Sequence, residues 1–184
     1  LVVSYFGNMG IAQDLDTIIK AMIELKDDNQ VHFMFAGHGN KMGYLKDIVE
    51  KESLKNVTIF DFLHGRDFQD ALSISDCFLV SLAKGLTGLA VPSKTYSYMM
   101  IGKPIIAIIG EDSDIARDLK DFEAGFTIQS GESDKLVSAI KQLKENVDRR
   151  KKMGKNCRDV FLKKYTKEHC TKQYVSMIKK ILEE

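Results

Sequence analysis

Proline and cysteine are both scarce in this chain of 184 residues. Two prolines and 13 glycines are too few for a collagen-like or low-complexity disordered protein. The three cysteines are odd in number, far apart and outside C-x-x-C spacing, which indicates reduced thiols and a cytoplasmic setting rather than a disulfide framework. No apolar run approaches the roughly 18 residues of a membrane-spanning helix. The composition therefore predicts an ordinary globular domain with no membrane span.

Net charge is nearly absent as well, at +1, but the charges are unevenly distributed. The 34 residues from 77 to 110 contain no carboxylate, although they include Lys84, Lys94 and Lys103. A segment that carries cations without anions, and that is rich in glycine, serine and threonine, suits a phosphate-bearing ligand. The alternative is a chance gap around two buried strands.

Apolar runs and helical periodicities alternate along the whole chain. The predicted strands are 2–6, 31–36, 57–60, 77–80, 105–109 and 126–129. Helical spacing predicts helices between them and two or three more at the end of the chain. This alternation predicts an α/β fold, a Rossmann-like doubly wound parallel sheet of about six strands with helices on both faces. No repeat or linker interrupts the pattern, so residues 1–184 are predicted to form a single domain.

Two local predictions accompany this pattern. Asp67 is expected to cap a short helix that runs through Leu72. The phenylalanines in or beside the strands are expected to lie in the core; these are Phe33, Phe35, Phe60, Phe62 and Phe78.

Ligands of doubly wound sheets bind at the carboxyl ends of the strands. The first such loop contains Gly7, Asn8 and Gly10, where glycines allow a close backbone approach and the following helix start favours an anion. A plain turn is equally compatible with this short motif.

A second helix start stands after the fourth strand. Pro92 predicts an extended approach, Ser93 a helix cap, and Gly102 with Pro104 the helix end. Lys94 falls in the first turn, where a cation opposes the helix dipole. A bound diphosphate would account for it, and a solvated lysine that points away is the alternative.

Several motifs together resemble a known family. They are Tyr5-Phe6-Gly7-Asn8-Met9-Gly10, Phe35-Ala36-Gly37-His38-Gly39, Val91-Pro92-Ser93-Lys94-Thr95-Tyr96, Gly102-Lys103-Pro104 and the tail Met153–Arg158. Their order and spacing resemble the donor-binding C-terminal half of GT-B retaining glycosyltransferases of family 4, also called group 1. The Val-Pro-Ser-Lys-Thr-Tyr segment is similar to the branch that makes bacterial surface polysaccharides, including transferases of fucosamine-type sugars.

The resemblance implies a hexosyltransferase-type enzyme of lipopolysaccharide or capsule biosynthesis. Its donor would be a nucleotide sugar with uridine as the expected base, and it would need neither a cofactor nor a metal. The diphosphate would be held by two groups, Gly7, Asn8 and Gly10 in the first loop and Ser93, Lys94 and Thr95 at the helix start. Backbone around Phe62 and His64 would face the base.

Ser97 would lie at the ribose, where the family usually has a glutamate. The family's paired glutamates would fall near Leu89 and Ser97, and neither residue is acidic. The catalytic residues are therefore unassigned, and a binding protein descended from an enzyme is an alternative. The resemblance also implies an acceptor-binding domain that precedes residue 1 in a longer parent chain, so the chain alone is expected to transfer no sugar.

Other functions were weighed on the same residues. A GT-B-type nucleotide-sugar epimerase would need an acidic, histidine-rich loop. A flavodoxin-like signalling receiver would need a carboxylate pair where Tyr5 and Phe6 end the first strand and an aspartate after the third strand, where Asp61 fits. A flavodoxin-like phosphate-binding module is a further alternative. His38 and His64 lack partners at metal-ligand spacing and are expected at the surface. The basic run 149–152 predicts either a solvated helix face or a peripheral contact with the anionic inner membrane surface. No nucleic-acid partner is expected.

Overall fold

The computed structural model describes residues 1–183. Its strands are β1 (Val2–Asn8), β2 (His32–His38), β3 (Val57–Phe60), β4 (Cys77–Ser81), β5 (Ile105–Ile108) and β6 (Gly125–Ile128). Its helices are α1 (Leu15–Glu24), α2 (Met42–Lys51), α3 (Gly65–Ile74), α4 (Lys94–Ile101), α5 (Asp114–Asp121), α6 (Ser133–Glu145), α7 (Val147–Val160) and α8 (Lys167–Glu183). A π-helical segment, Phe161–Tyr165, joins α7 to α8.

The six strands form one parallel sheet in the order β3-β2-β1-β4-β5-β6. The strand order reverses between β1 and β4, which pair through Val3 and Ser4. Helices cover both faces, because right-handed crossovers that run in opposite directions from the point of reversal place their helices on opposite faces. The predicted Rossmann-like fold is confirmed, and its carboxyl edge opens into a crevice at the switch point between β1 and β4.

The sheet is buried on both faces, which explains why its central strands are continuously apolar. Successive residues of β1 alternate between two cores: Val3 and Tyr5 pack with α1 and α6, whereas Phe6 packs with α4 and α5.

The helices begin and end at residues whose local chemistry favours a helix terminus. Asp14 caps α1 by accepting a hydrogen bond from the Thr17 amide at 3.1 Å, and Gly102 ends α4 in the left-handed conformation at φ +77°.

Two local predictions are wrong. Asp67 does not cap α3, because the helix begins two residues earlier at Gly65, with His64 at the cap position and Asp67 inside the first turn. Phe60 and Phe62 are 40% and 52% exposed, since Phe60 ends the edge strand β3 and Phe62 lies beyond it. Phe33, Phe35 and Phe78 are buried as predicted.

The described part of the chain contains no helix that is both long and apolar enough to cross a membrane. Cys77 and Cys157 are buried and Cys170 is partly buried, each as a free thiol. Burial raises the pKa of both buried thiols to about 12, so neither is a reactive thiolate near neutral pH.

Candidate functional site

Glycines bring the carboxyl ends of β1 and β2 into close backbone contact, where Gly7 and Gly37 are partners in the sheet. Gly7 and Gly37 have φ values of +116° and +145°, which favour glycine. A β-carbon at Gly37 would lie 2.0 Å from the Gly7 carbonyl oxygen. The Met9 amide donates to the His38 carbonyl at 2.6 Å. At the carboxyl edge, the ends of β1 and β2 and the loops that follow them are therefore packed closely, backbone against backbone.

Lys94, in the first turn of α4, reaches back across this edge to β1. Its Nζ donates to the Tyr5 hydroxyl at 3.1 Å and to the Asn8 carbonyl at 3.2 Å, and it lies 4.3 Å from the centre of the Tyr5 ring. A β-carbon at Gly7 would meet the Lys94 Cε at 2.5 Å. The absence of a side chain at Gly7 leaves the space that the lysine stem occupies.

The environment of Lys94 is unusual because it holds no counter-ion from residues 1–183. Desolvation lowers the pKa of the Lys94 ammonium to about 8, and no neighbouring carboxylate raises it again. The alternative of a solvated lysine that points away is wrong. A partly buried cation is held at the switch point with neutral partners only.

Two tyrosines that the sequence interpretation left without a role support this arrangement. Tyr5 donates its hydroxyl proton to the Asn8 carbonyl at 3.0 Å while it accepts from Lys94. The Tyr98 hydroxyl bonds the amide and carbonyl of Phe6, both at 3.0 Å, and its ring stacks on Phe78 at 4.1 Å. Tyr98 follows Lys94 by four residues, so the helical spacing was a signal that both face β1.

An aromatic cluster stands on the other side of the crevice. The exposed ring of Phe62 packs against His64 at 4.6 Å and His38 at 5.5 Å between ring centres. Both histidines are exposed, as predicted. No group of three or more potential metal ligands was found among residues 1–183. The three rings are tilted against one another, and the exposed face of Phe62 stands across the crevice from Lys94.

Between Lys94 and the aromatic cluster lies a cleft of about 380 Å³, within the size range of small-molecule sites. It is lined by Phe6, Gly7, Ala36, Gly37, Phe62, Leu63, His64, Gly65, Phe68, Lys94, Ser97 and Tyr98. None of these twelve residues is acidic. The structure thus brings together five of the residues predicted from sequence to bind the substrate, namely Gly7, Phe62, His64, Lys94 and Ser97.

The other four predicted residues lie beside the cleft rather than in its lining. Asn8 contributes its backbone carbonyl to Lys94, and its side chain packs close to Gly10 and Gly39. The Gly10 amide donates to the Gln13 side chain at 2.8 Å. These contacts hold the loop in shape. A direct role of Asn8 and Gly10 at a phosphate stays a prediction.

The start of α4 differs from the predicted cap. Ser93 occupies the cap position, but its backbone is already helical at φ −55° and ψ −24°, and its hydroxyl forms no cap hydrogen bond. A capping side chain needs an extended backbone to reach the first-turn amides. Thr95 is fully buried, and its hydroxyl donates to the Pro92 carbonyl at 2.7 Å. A contact of Ser93 or Thr95 with a phosphate stays a prediction.

The basic run near the start of α7 mostly pairs within the protein. Arg149 donates to Gln142 at 2.8 Å, Arg150 lies 3.4 Å from Asp76, and Lys152 lies 3.0 Å from Glu123. These contacts favour a structural role for the run. The membrane contact stays a prediction.

Comparison with known proteins decides the family. Residues 1–160 match the family described as Glycosyl transferases group 1. The chain belongs to this family. The predicted resemblance is therefore confirmed, and neither the epimerase nor the signalling module is supported.

Two curated relatives of this group 1 domain carry glycosyltransferase names. Probable glycosyltransferase WbjE of Pseudomonas aeruginosa is 28% identical over 144 residues, which are 78% of this chain and 36% of WbjE. Putative colanic acid biosynthesis glycosyl transferase WcaI of Escherichia coli is 27% identical over 101 residues, 55% of this chain and 25% of WcaI. The chain thus spans about a third or less of the length of these relatives.

Among solved structures, Alr3699/HepE of Anabaena, crystallised with UDP and glucose, has the same fold. The TM-score is 0.79 at 18% identity, and the match covers 97% of this chain and 48% of HepE. At this identity the likeness concerns the fold alone. The group 1 domain has the Rossmann-like architecture found in GT-B glycosyltransferases.

Proposed function

We propose that this domain binds a nucleoside diphosphate sugar as the donor-binding part of a retaining glycosyltransferase of bacterial surface polysaccharide synthesis. The family membership supports a glycosyltransferase, and the name of WcaI supports a polysaccharide product. We further propose that the enzyme acts in lipopolysaccharide or capsule formation on the cytoplasmic side of the membrane.

The observation that carries this proposal is the partly buried Lys94 ammonium without a counter-ion. Such a group is costly, because its charge loses hydration and gains no opposite charge. A bound diphosphate would supply that charge directly in front of the Gly7 backbone. An anionic ligand therefore completes the electrostatics of a site that the protein alone leaves unbalanced.

The rest of the cleft suits the remainder of a nucleotide. The exposed Phe62 ring, flanked by His38 and His64, offers a surface on which a base can stack. Ser97 lies one helical turn after Lys94 on the same side of α4, at the place proposed for the sugar of the nucleoside. In this arrangement the domain positions the donor, and it needs no metal ion to balance the phosphates.

Calorimetric titration with UDP tests the proposal. Lys94→Met keeps the apolar stem and removes the charge, and a charge-assisted hydrogen bond contributes about 1.5–3 kcal/mol, so the affinity should fall roughly 10- to 100-fold. Lys103→Met is the matched control, because Lys103 belongs to the same acid-free segment but follows Gly102 at the opposite end of α4. Equal affinities in both variants would remove Lys94 from the site. Failure of the unaltered chain to bind UDP, dUDP, dTDP or ADP would overturn the proposed function.

A second test concerns the binding of donor and acceptor by separate domains. We propose that the acceptor site lies in another domain of the parent chain, because fixing two substrates in one cleft contributes up to about 7–11 kcal/mol of the rate acceleration. The 184-residue chain should then show no transfer from radiolabelled nucleotide sugars to a polyprenyl-linked acceptor extract, whereas the full-length gene product should. Transfer at similar rates by both would contradict it.

A further inference from the structure

The cleft that holds Lys94 has few free polar groups along its wall. Phe6, Leu63 and Phe68 are apolar, and the Tyr98 hydroxyl already bonds the amide and the carbonyl of Phe6. That hydroxyl is therefore unavailable to a ligand. Beyond Lys94 and the rim histidine His64, the remaining polar side chain in the lining is Ser97.

Ser97 is a weak recognition group. It is exposed, and its hydroxyl forms no hydrogen bond with any residue of the described range 1–183. A ribose presents two adjacent hydroxyls, and a carboxylate could accept a hydrogen bond from each. A single serine hydroxyl in contact with water can satisfy one of them, and water replaces that bond at little cost when the ligand lacks the group.

Selectivity for a hydroxyl arises when its absence leaves a buried polar group of the protein unpaired. Sites built in this way reject the analogue without the hydroxyl by about four orders of magnitude or more, whereas an apolar wall discriminates weakly. The wall of this cleft is apolar and its serine is solvated. Loss of a sugar hydroxyl therefore leaves no buried polar side chain of the lining unpaired.

We propose that this site does not select for the ribose 2′-hydroxyl, so that 2′-deoxyribonucleoside diphosphate sugars, thymidine ones in particular, are donors at least as well bound as uridine ones. The inference rests on the proposed function, and it names the substrate class of the same cleft. The methyl group of thymine finds apolar surroundings near Phe62 and Leu63, and burial of one such group raises affinity by up to about fourfold.

Calorimetric titration with three nucleotides tests the inference. UDP and dUDP should bind within about threefold of each other, and dTDP should bind equally tightly or up to about fourfold more tightly than dUDP. Ser97→Ala should change the UDP affinity by less than about threefold. A preference for UDP over dUDP of 30-fold or more would overturn the inference and leave the proposed function intact. A 30-fold loss of UDP affinity in Ser97→Ala would do the same. Absence of binding by all three nucleotides and by ADP would instead overturn the proposed function, and binding of ADP alone would overturn the inference.

A gain of selectivity gives the positive test. Ser97→Glu places a carboxylate one turn from Lys94 and should create a preference for UDP over dUDP of about tenfold, as expected for one added charge-assisted bond. Ser97→Gln is the matched control of the same length without charge and should show a smaller ratio. An unchanged ratio in Ser97→Glu would show that the sugar does not lie at this position and would overturn the inference.

Discussion

Two cations at the amino edge of the sheet and Lys94 at its carboxyl edge have different kinds of partner. At the amino edge, Lys144 lies 2.5 Å from Asp28, and Arg150 lies 3.4 Å from Asp76. All four side chains are 30% exposed or less. At the carboxyl edge, Lys94 is partly buried as well, but its partners are a phenol and a backbone carbonyl.

The free-energy cost of removing a charge from water makes this difference informative. Partly buried charges are normally paired, because an isolated charge loses hydration without compensation. The amino edge follows that rule and serves the fold. Lys94 departs from it at the edge where doubly wound sheets bind ligands, which supports the proposal of an anionic ligand.

The largest effect is expected where a paired carboxylate is removed. Asp118 of α5 is buried and accepts hydrogen bonds from Lys164 and Tyr165 of the π-helical segment. Asp118→Ala should lower the free energy of unfolding by about 2–4 kcal/mol, because it leaves a cation and a phenol unpaired. Chemical denaturation measures the loss.

Asp114→Ala is the control on the same helix. Its carboxylate pairs with Arg117 on the surface, with an exposed fraction of 87%, so the loss should stay below about 1 kcal/mol. Equal losses in the two variants would show that burial of the carboxylate does not determine its contribution.

Removal of the unpaired cation Lys94 should stabilise the folded protein instead. Lys94→Met should raise the free energy of unfolding by about 1–2 kcal/mol at pH 7, since an apolar side chain replaces a desolvated charge without a counter-ion. The folded-state pKa of about 8 lies below the ordinary value of 10.5. The unfolded chain therefore binds more protons between these values, and the unaltered protein gains stability as the pH rises through that window.

Denaturation of both proteins at pH 7 and pH 9.5 measures this difference. The advantage of the variant should shrink at the higher pH, because Lys94 is then mostly neutral in the folded protein. A variant that is less stable than the unaltered protein at pH 7 would contradict the interpretation of Lys94 as an uncompensated charge.

The smallest effect concerns the pH dependence of nucleotide binding. UDP affinity should weaken about twofold from pH 7 to 8 and about tenfold in all up to pH 9, because only the charged form of Lys94 pairs with the diphosphate. Tyr5, the titratable group in contact with it, has a pKa raised by burial and stays neutral over this range. Calorimetry at each pH, with Lys94→Met as the control that should show no such decline, measures the effect. A parallel decline in the variant would assign it to another group.

Much of the fold could be predicted from the sequence. Continuous apolar runs such as 105–109 are typical of central strands covered on both faces, and periodic helices between them favour a doubly wound sheet. Predictions at single residues were less secure. Phe60 and Phe35 both lie in apolar strand segments of the sequence. Phe60 is exposed because β3 lies at the edge of the sheet, and the order of the strands depends on the whole chain.

The candidate site divides in the same way. The sequence by itself determined that cations without carboxylates stand near glycine-rich loops, because that is a statement about composition and order along the chain. Only the tertiary structure decided that Lys94 turns inward. A lysine stem is flexible, so its direction depends on its surroundings. The space beside Gly7 receives the stem of Lys94, and Tyr5 and Asn8, which lie 89 and 86 residues away, accept its hydrogen bonds. These meet Lys94 because β1 and β4 pair at the centre of the sheet.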